Sequence, residues 1–128
     1  MTQTQAPSLS TDIKGVGQAI RDWLTPFCSL GAATTFAITV LMLKDTPLDG
    51  SAPLLLYGYG SYGHAMEPSF SIRNLSLVDR GWIWAVAHIR GGSDKGWGWF
   101  LDGRKNKKTN TFTDFIACAE HLSASGYG

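Results

Sequence analysis

The pattern Gly58-Tyr-Gly60-Ser-Tyr-Gly63 is the first candidate for chemistry, since it fits G-x-G-x-x-G directly after an apolar run. In dinucleotide-binding folds this pattern cradles a pyrophosphate at the N-terminus of a helix. Here Pro68 follows Gly63 only after further loop residues, which indicates that the next helix starts too late. The following strand ends in His88-Ile-Arg90, without the acidic residue that binds a ribose. A nucleotide site is therefore the less favoured interpretation.

A serine nucleophile is not recognisable in these residues. The pattern G-x-S-x-G needs glycine two residues before and after the serine, and neither Ser61 nor Ser93 meets that requirement. His64 is expected in a loop, His88 at the end of a buried strand and His121 on the polar side of a helix. No Ser-His-Asp set can be assembled from these positions.

The remaining reactive or charged residues have plain structural interpretations. The basic run Arg104–Lys108 lacks a second basic cluster, which favours a solvated loop over a nucleic-acid surface. Trp97 and Trp99 could stack on a ligand, but such residues more often pin a loop to the core. Cys28 and Cys118 have neither metal-ligand nor redox spacing, which predicts two reduced thiols. The sequence predicts no metal site and no cofactor.

Three apolar segments predict the strands that position these residues. Thr34–Leu43 is β-branched and apolar. Pro53–Tyr57 is short and continuously apolar, as in a strand buried on both faces of a parallel sheet. Trp82–Ile89 predicts a second buried strand. Residues 44–50 predict a turn, and 59–67 a glycine-rich loop.

Three further segments predict helices. In 12–24 the apolar residues share one helical face, between Asp12 and Pro26. Pro68–Arg80 predicts a second helix, which Gly81 ends. Thr111-Phe-Thr-Asp114 has the pattern of a capping box. It predicts the start of a third helix, after a long loop (90–108) with one helical turn. The apolar positions of the third helix are Phe112, Phe115, Ile116, Ala119 and Leu122, and Gly126 closes it.

The alternation of strand and helix predicts an α/β domain with a parallel sheet. The 128 residues suit one domain, and a net charge of +1 gives no general attraction to nucleic acid or anionic membranes. The longest apolar run, Phe36–Leu43, is far shorter than the roughly 20 residues that span a bilayer. Met1–Thr11 is polar and lacks the pattern of a signal peptide. These features predict a cytoplasmic protein without a membrane or nucleic-acid partner.

Several blocks between Pro53 and Gly128 resemble the prolyl oligopeptidase family of serine peptidases, in the family's order and spacing. The blocks are Leu54-Leu-Leu-Tyr-Gly-Tyr-Gly-Ser-Tyr-Gly63, Leu75-Ser-Leu-Val-Asp-Arg-Gly81, Ala87-His-Ile-Arg-Gly-Gly92, Asp102-Gly103 and Lys108-Thr-Asn-Thr-Phe-Thr-Asp-Phe115. Y-G-S-Y-G and N-T-F-T-D-F are similar to oligopeptidase B-like members. The resemblance covers roughly 36–128. It predicts that 32–128 form the N-terminal part of a peptidase domain, and it leaves 1–31 as an unassigned leader.

The resemblance implies an α/β-hydrolase domain beside a seven-bladed β-propeller, and hydrolysis of short peptides by acyl transfer through a Ser-Asp-His triad. Oligopeptidase B-like members cleave after Arg or Lys. Tyr59 matches the family's oxyanion-hole tyrosine, whose phenol donates to the oxygen that gains negative charge. Tyr62 matches an aromatic position beside the primary substrate pocket. Glu67 lies where such members often carry an acid that helps to hold basic substrate residues. The plainer alternatives are a core tyrosine for Tyr59 and a solvated charge for Glu67.

The nucleophile block G-G-S-A-G-G, the triad Asp and His, and the propeller have no match in the 128 residues. The sequence therefore predicts an incomplete α/β-hydrolase domain, truncated before the nucleophile and inactive by itself. A short peptide is the expected substrate of the complete enzyme, and a complementing fragment is a candidate partner. Two alternatives from other classes are a non-catalytic peptide-binding module and a dinucleotide-binding domain.

Overall fold

The computed structural model describes residues 28–30, 34–67, 69 and 71–128. The predicted leader and its helix at 12–24 lie outside the described residues. The strands of this part of the chain are β1 (Cys28–Leu30), β2 (Thr34–Leu41), β3 (Leu54–Tyr57) and β4 (Ile83–His88). Its helices are α1 (Ile72–Val78), α2 (Trp97–Leu101) and α3 (Thr109–Ala124), with a 3-10 turn at Lys105–Lys107 between the last two. None of these helices is long and apolar enough to cross a membrane.

The strands form a mixed sheet in the order β1-β2-β4-β3. β3 and β4 are parallel, with Leu54 opposite Ile83, and α1 connects them as the sequence predicts. β2 is antiparallel to both β1 and β4, so the prediction of a parallel sheet is wrong for this strand. A parallel return needs a crossover connection, usually a helix, and the described chain between β2 and β3 contains none.

Burial differs sharply between the two parallel strands. In β4 the side chains of Ile83, Ala85 and Ala87 are fully buried, as predicted. β3 was expected to be buried on both faces, but Leu55 and Tyr57 are 38% and 42% exposed. The reason is the position of β3, which is the outermost strand of the described sheet and has one neighbour.

α3 crosses one face of the sheet and forms the main core with it. Cys118 and Leu122 are buried there in one cluster with Ile38, which comes from β2. The predicted apolar face of α3 is partly wrong, because Phe112 and Ile116 are 60% and 55% exposed. Two polar residues of α3, Thr111 and Asp114, are buried instead. Both form hydrogen bonds with Arg90, which follows β4.

Backbone conformation and backbone hydrogen bonds, rather than capping side chains, mark the ends of α1 and α3. α1 is shorter than predicted and follows Ser71, which is extended at a φ of −142°. Gly81 ends it as predicted, since its own N–H donates to Val78 O at 2.9 Å and the N–H of Trp82 donates to Leu77 O at 3.1 Å. The predicted capping box is wrong, because α3 is preceded by Lys108 and no side chain of the described residues caps its start.

Candidate functional site

The glycine loop, defined as Gly58–Glu67, leaves the carboxyl end of β3. Because β4 is parallel to β3, the segment that follows β4 emerges at the same edge of the sheet. Ligands of open α/β sheets bind at this carboxyl edge. The loop therefore carries the three predicted site residues, Tyr59, Tyr62 and Glu67, at the edge where a site is expected.

Three glycines allow the glycine loop and its neighbours to cross in direct contact. A Cβ added to Gly91, whose φ is +102°, would overlap the carbonyl oxygen of Gly60. A Cβ added to Gly103 would overlap the backbone nitrogen of Gly91. The glycines of this region therefore serve backbone packing. They do not open a helix as a dinucleotide fingerprint would, since α1 begins only at Ile72.

Gly91→Ala should lower the free energy of unfolding by about 2–4 kcal/mol, because overpacking adds to the cost of a positive φ. Gly98→Ala is the matched control, since Gly98 lies in α2 and no described atom lies within 4 Å of a Cβ added there. The control should be stabilised by up to about 1 kcal/mol. Urea unfolding, followed by tryptophan fluorescence, measures the stability of both variants. Equal effects of the two substitutions would contradict the close backbone contact between Gly91 and Gly60.

Tyr62 sits at the tip of a tight turn within the glycine loop. The His64 N–H donates to Ser61 O at 3.0 Å, and the two residues between them have φ values of 55° (Tyr62) and 66° (Gly63). Positive φ at both central residues is the pattern of a type I′ turn. A tyrosine rarely adopts this conformation, and Tyr62 is 88% exposed. The turn therefore holds an aromatic ring out from the surface.

Tyr59 and Glu67 are also accessible. Tyr59 is 43% exposed, and its ring meets the His64 ring edge-on, with centroids 5.6 Å apart. Among the described residues, no hydrogen bond involves its hydroxyl. Glu67 is exposed at the end of the loop. Their roles toward a substrate stay predictions, but the structure places all three side chains where a ligand could reach them.

Four contacts fix the backbone of the glycine loop. The Lys108 Nζ donates to Gly60 O at 2.6 Å. The Ser93 hydroxyl donates to Gly63 O at 2.6 Å, and the Gly63 N–H donates to Gly91 O at 3.0 Å. Farther along, the Met66 N–H donates to Asp94 Oδ1 at 2.8 Å. The loop is therefore held along most of its length.

The Asp94 contact belongs to a partly buried polar network. His88 Nδ1 lies 2.8 Å from Asp94 Oδ1, and His88 Nε2 lies 2.8 Å from Thr39 Oγ1. Burial by itself would raise the pKa of Asp94. The hydrogen bonds with His88 and from the Met66 N–H outweigh burial and hold that pKa below its usual value. An ionised Asp94 thus connects the glycine loop to β4 and, through His88, to β2.

An ion pair between the partly buried Arg90, just after β4, and the buried Asp114 of α3 ties these two elements together. The Arg90 guanidinium donates to Asp114 through Nε at 2.8 Å and Nη2 at 2.6 Å, and the Arg90 N–H donates at 3.0 Å. This hydrogen bonding raises the already high pKa of Arg90. The Thr111 hydroxyl donates to Arg90 O at 2.6 Å. Thr111 and Asp114, predicted to cap the helix, therefore hold the neighbouring strand end instead.

Sequence reasoning missed the residues that support the loop. The run Arg104–Lys108 was expected to be solvated, which is wrong for Lys108. Lys108, Thr111 and Asp114 are three residues apart and lie along one side of the helix start, a spacing that the capping-box interpretation obscured. Trp99 is pinned as predicted, with its Nε1 3.3 Å from His88 O, whereas Trp97 is 63% exposed. No cluster of three or more His, Cys, Asp or Glu that could hold a metal occurs in the described ranges.

Comparison with known proteins supports the family resemblance that the sequence blocks indicate. Residues 68–128 match the prolyl oligopeptidase family. The chain is 51% identical over 94 residues to dipeptidyl aminopeptidase BI of Pseudoxanthomonas mexicana, which covers 73% of the chain and 13% of that protein. It is 47% identical over 90 residues to protease 2 of Moraxella lacunata, at 70% and 13% coverage.

A solved structure gives the same result. The chain superposes on oligopeptidase B from Leishmania major with a TM-score of 0.73 and 46% identity, over 80% of the chain and 14% of that structure. The chain thus spans about one seventh of such relatives. The family match, the sequence identities and the superposition agree, and the chain belongs to the prolyl oligopeptidase family of serine peptidases.

Proposed function

We propose that the chain supplies the oxyanion side of the active site of a serine oligopeptidase that hydrolyses short peptides by acyl transfer. The observation that carries this proposal is an accessible Tyr59 on a loop whose following backbone is fixed by hydrogen bonds from Lys108 and Ser93. In acyl transfer the carbonyl oxygen of the substrate becomes an oxyanion. A fixed donor aimed at that oxygen stabilises the transition state more than the ground state.

The other exposed residues of the loop suit recognition of a basic peptide residue. The outward ring of Tyr62 offers an apolar surface for the aliphatic stem of Arg or Lys. Glu67 offers a carboxylate for the charged head. The similarity to protease 2 and to oligopeptidase B supports this assignment. Cleavage after Arg or Lys is therefore the proposed specificity of the complete enzyme.

The nucleophile is proposed to come from outside these 128 residues. They contain no G-x-S-x-G, and the described His88–Asp94 pair is directed at Thr39 and the loop backbone. In this proposal residues 32–128 are the N-terminal part of an α/β-hydrolase domain. The chain alone is inactive, and a further polypeptide segment supplies the Ser-Asp-His triad.

A chimera tests this function. Residues 36–128 would replace the matching segment of protease 2 from Moraxella lacunata, and folding would be checked by gel filtration and thermal melting. The chimera should react with a fluorophosphonate probe and cleave fluorogenic peptides after Arg or Lys, whereas the 128-residue chain should do neither. Labelling of the chain alone would refute the external nucleophile, and a folded chimera without peptidase activity would refute the assigned role.

A further inference from the structure

Lys108 differs from the other basic residues of its run. Its ammonium is partly buried and donates to Gly60 O at 2.6 Å and to Ser61 Oγ at 2.8 Å. Lys105 is exposed, and Lys107 forms an exposed pair with Asp102. Two short, charge-assisted bonds to one loop are stronger than neutral hydrogen bonds of the same kind. They indicate that the Lys108 ammonium binds the glycine loop and is not simply solvated.

The contacts of Lys108 fall on the two residues that follow Tyr59. Tyr59 lies between Gly58 and Gly60, and glycines leave a backbone freer than other residues do. The other anchors of the loop act later, at Gly63 and Met66. Such a short glycine-flanked segment needs an external contact to hold one conformation, and Lys108 provides the one nearest to Tyr59 among the described hydrogen bonds.

Thr111 does not duplicate this contact. Its hydroxyl is 3.4 Å from Gly60 O but 2.6 Å from Arg90 O, so its single proton is committed to Arg90. Ser61 has no second described partner for its hydroxyl. Lys108 therefore anchors the Gly60–Ser61 segment by two side-chain hydrogen bonds, in addition to the backbone packing of Gly60 on Gly91.

We propose that Lys108 is a positioning residue that presets the Tyr59 phenol before substrate binds. The proposal rests on the function proposed above, since it assigns Lys108 to the same oxyanion site. Lys108 itself does not touch the reacting atoms. It acts through Gly60 and Ser61, because a preorganised donor costs no reorganisation at the moment of reaction.

Hydrogen exchange of the full 128-residue chain tests the positioning directly. Lys108→Met keeps the aliphatic stem and removes the donors. It should speed exchange of the His64 amide, which is bonded to Ser61 O, by about tenfold or more, the factor that corresponds to one lost hydrogen bond. Amides of β4 should keep their rates. Lys108→Arg should restore protection, and Lys105→Met is the matched control that should change nothing.

The same variants in the chimera test the consequence for catalysis. Lys108→Met should lower kcat by about 100-fold, the cost of a misplacement on the order of 1 Å, while KM changes little and Lys108→Arg recovers activity. Unchanged kcat in a chimera that depends on Tyr59 would overturn the positioning role. A chimera that does not depend on Tyr59 would instead refute the proposed function, and the exchange result would still decide whether Lys108 orders the loop.

Ser61→Ala is a second variant that distinguishes local positioning from a loss of stability of the whole chain. If Lys108→Met speeds exchange in β4 as well, Ser61→Ala removes one of the two acceptors and leaves the lysine in place. Faster exchange of the His64 amide with an unchanged β4 would support local positioning. Unchanged exchange at both places would overturn it.

Discussion

Asp114→Asn is expected to lower the free energy of unfolding by at most about 3–5 kcal/mol, the cost of removing one partner of a fully buried ion pair, because the Arg90 side chain keeps 19% exposure. The Asp114 side chain is 1% exposed and accepts three hydrogen bonds from Arg90. The amide of asparagine cannot accept at both positions, and it leaves the charge of Arg90 uncompensated. Urea unfolding at neutral pH, followed by tryptophan fluorescence, measures the change.

Two comparisons separate the buried pair from charge effects in general. Asp102→Asn breaks the exposed pair with Lys107, and it should leave the unfolding midpoint almost unchanged. The double variant Arg90→Met with Asp114→Leu replaces both charges by apolar side chains and should regain part of the lost stability, less the cost of leaving the Arg90 N–H without its acceptor. Equal small effects of Asp114→Asn and Asp102→Asn would show that the ion pair does not hold α3 on the sheet.

Tyr59→Phe in the chimera is expected to lower kcat by about 100- to 1,000-fold, the usual effect of losing one oxyanion donor. The substitution removes only the hydroxyl, so the ring keeps its edge-on contact with His64. KM should change little, because the donor acts in the transition state rather than in the bound ground state. Steady-state kinetics with an Arg-containing fluorogenic peptide measure both constants.

Tyr57→Phe is the matched control for this experiment. Tyr57 lies two residues before Tyr59 and belongs to β3. Its ring stacks on Trp84, with centroids 5.9 Å apart. Loss of its hydroxyl should leave kcat close to the unsubstituted value. If both variants kept full activity, Tyr59 would not be the oxyanion donor.

The βαβ unit and its loop could be predicted from the sequence because their signals are local. A continuous apolar run marks β4, Gly81 supplies the backbone conformation that ends α1, and the glycines mark the loop. These features depend on neighbours in sequence. They hold in the structure even where the predicted bounds were too long.

The residues that hold the glycine loop and Arg90 in place could not be predicted, because their contacts join residues distant in sequence. Thr111 and Asp114 match a helix cap, yet their partner is Arg90, more than 20 residues away. Lys108 resembles any solvated lysine until the loop 48 residues earlier is placed beside it. The direction of β2 was equally hidden, since a β-branched run has the same pattern in either orientation.

The spacing of Lys108, Thr111 and Asp114 also determines where the chain can change in length. Each added residue turns a helix by about 100°. One insertion between Lys108 and Asp114 would therefore carry Asp114 away from Arg90, or Lys108 away from Gly60, and no rotamer change could restore both contacts. The exposed turn at 105–107 has no such constraint. Insertions and deletions among homologues should accordingly collect before Lys108 and be absent from the first two turns of α3.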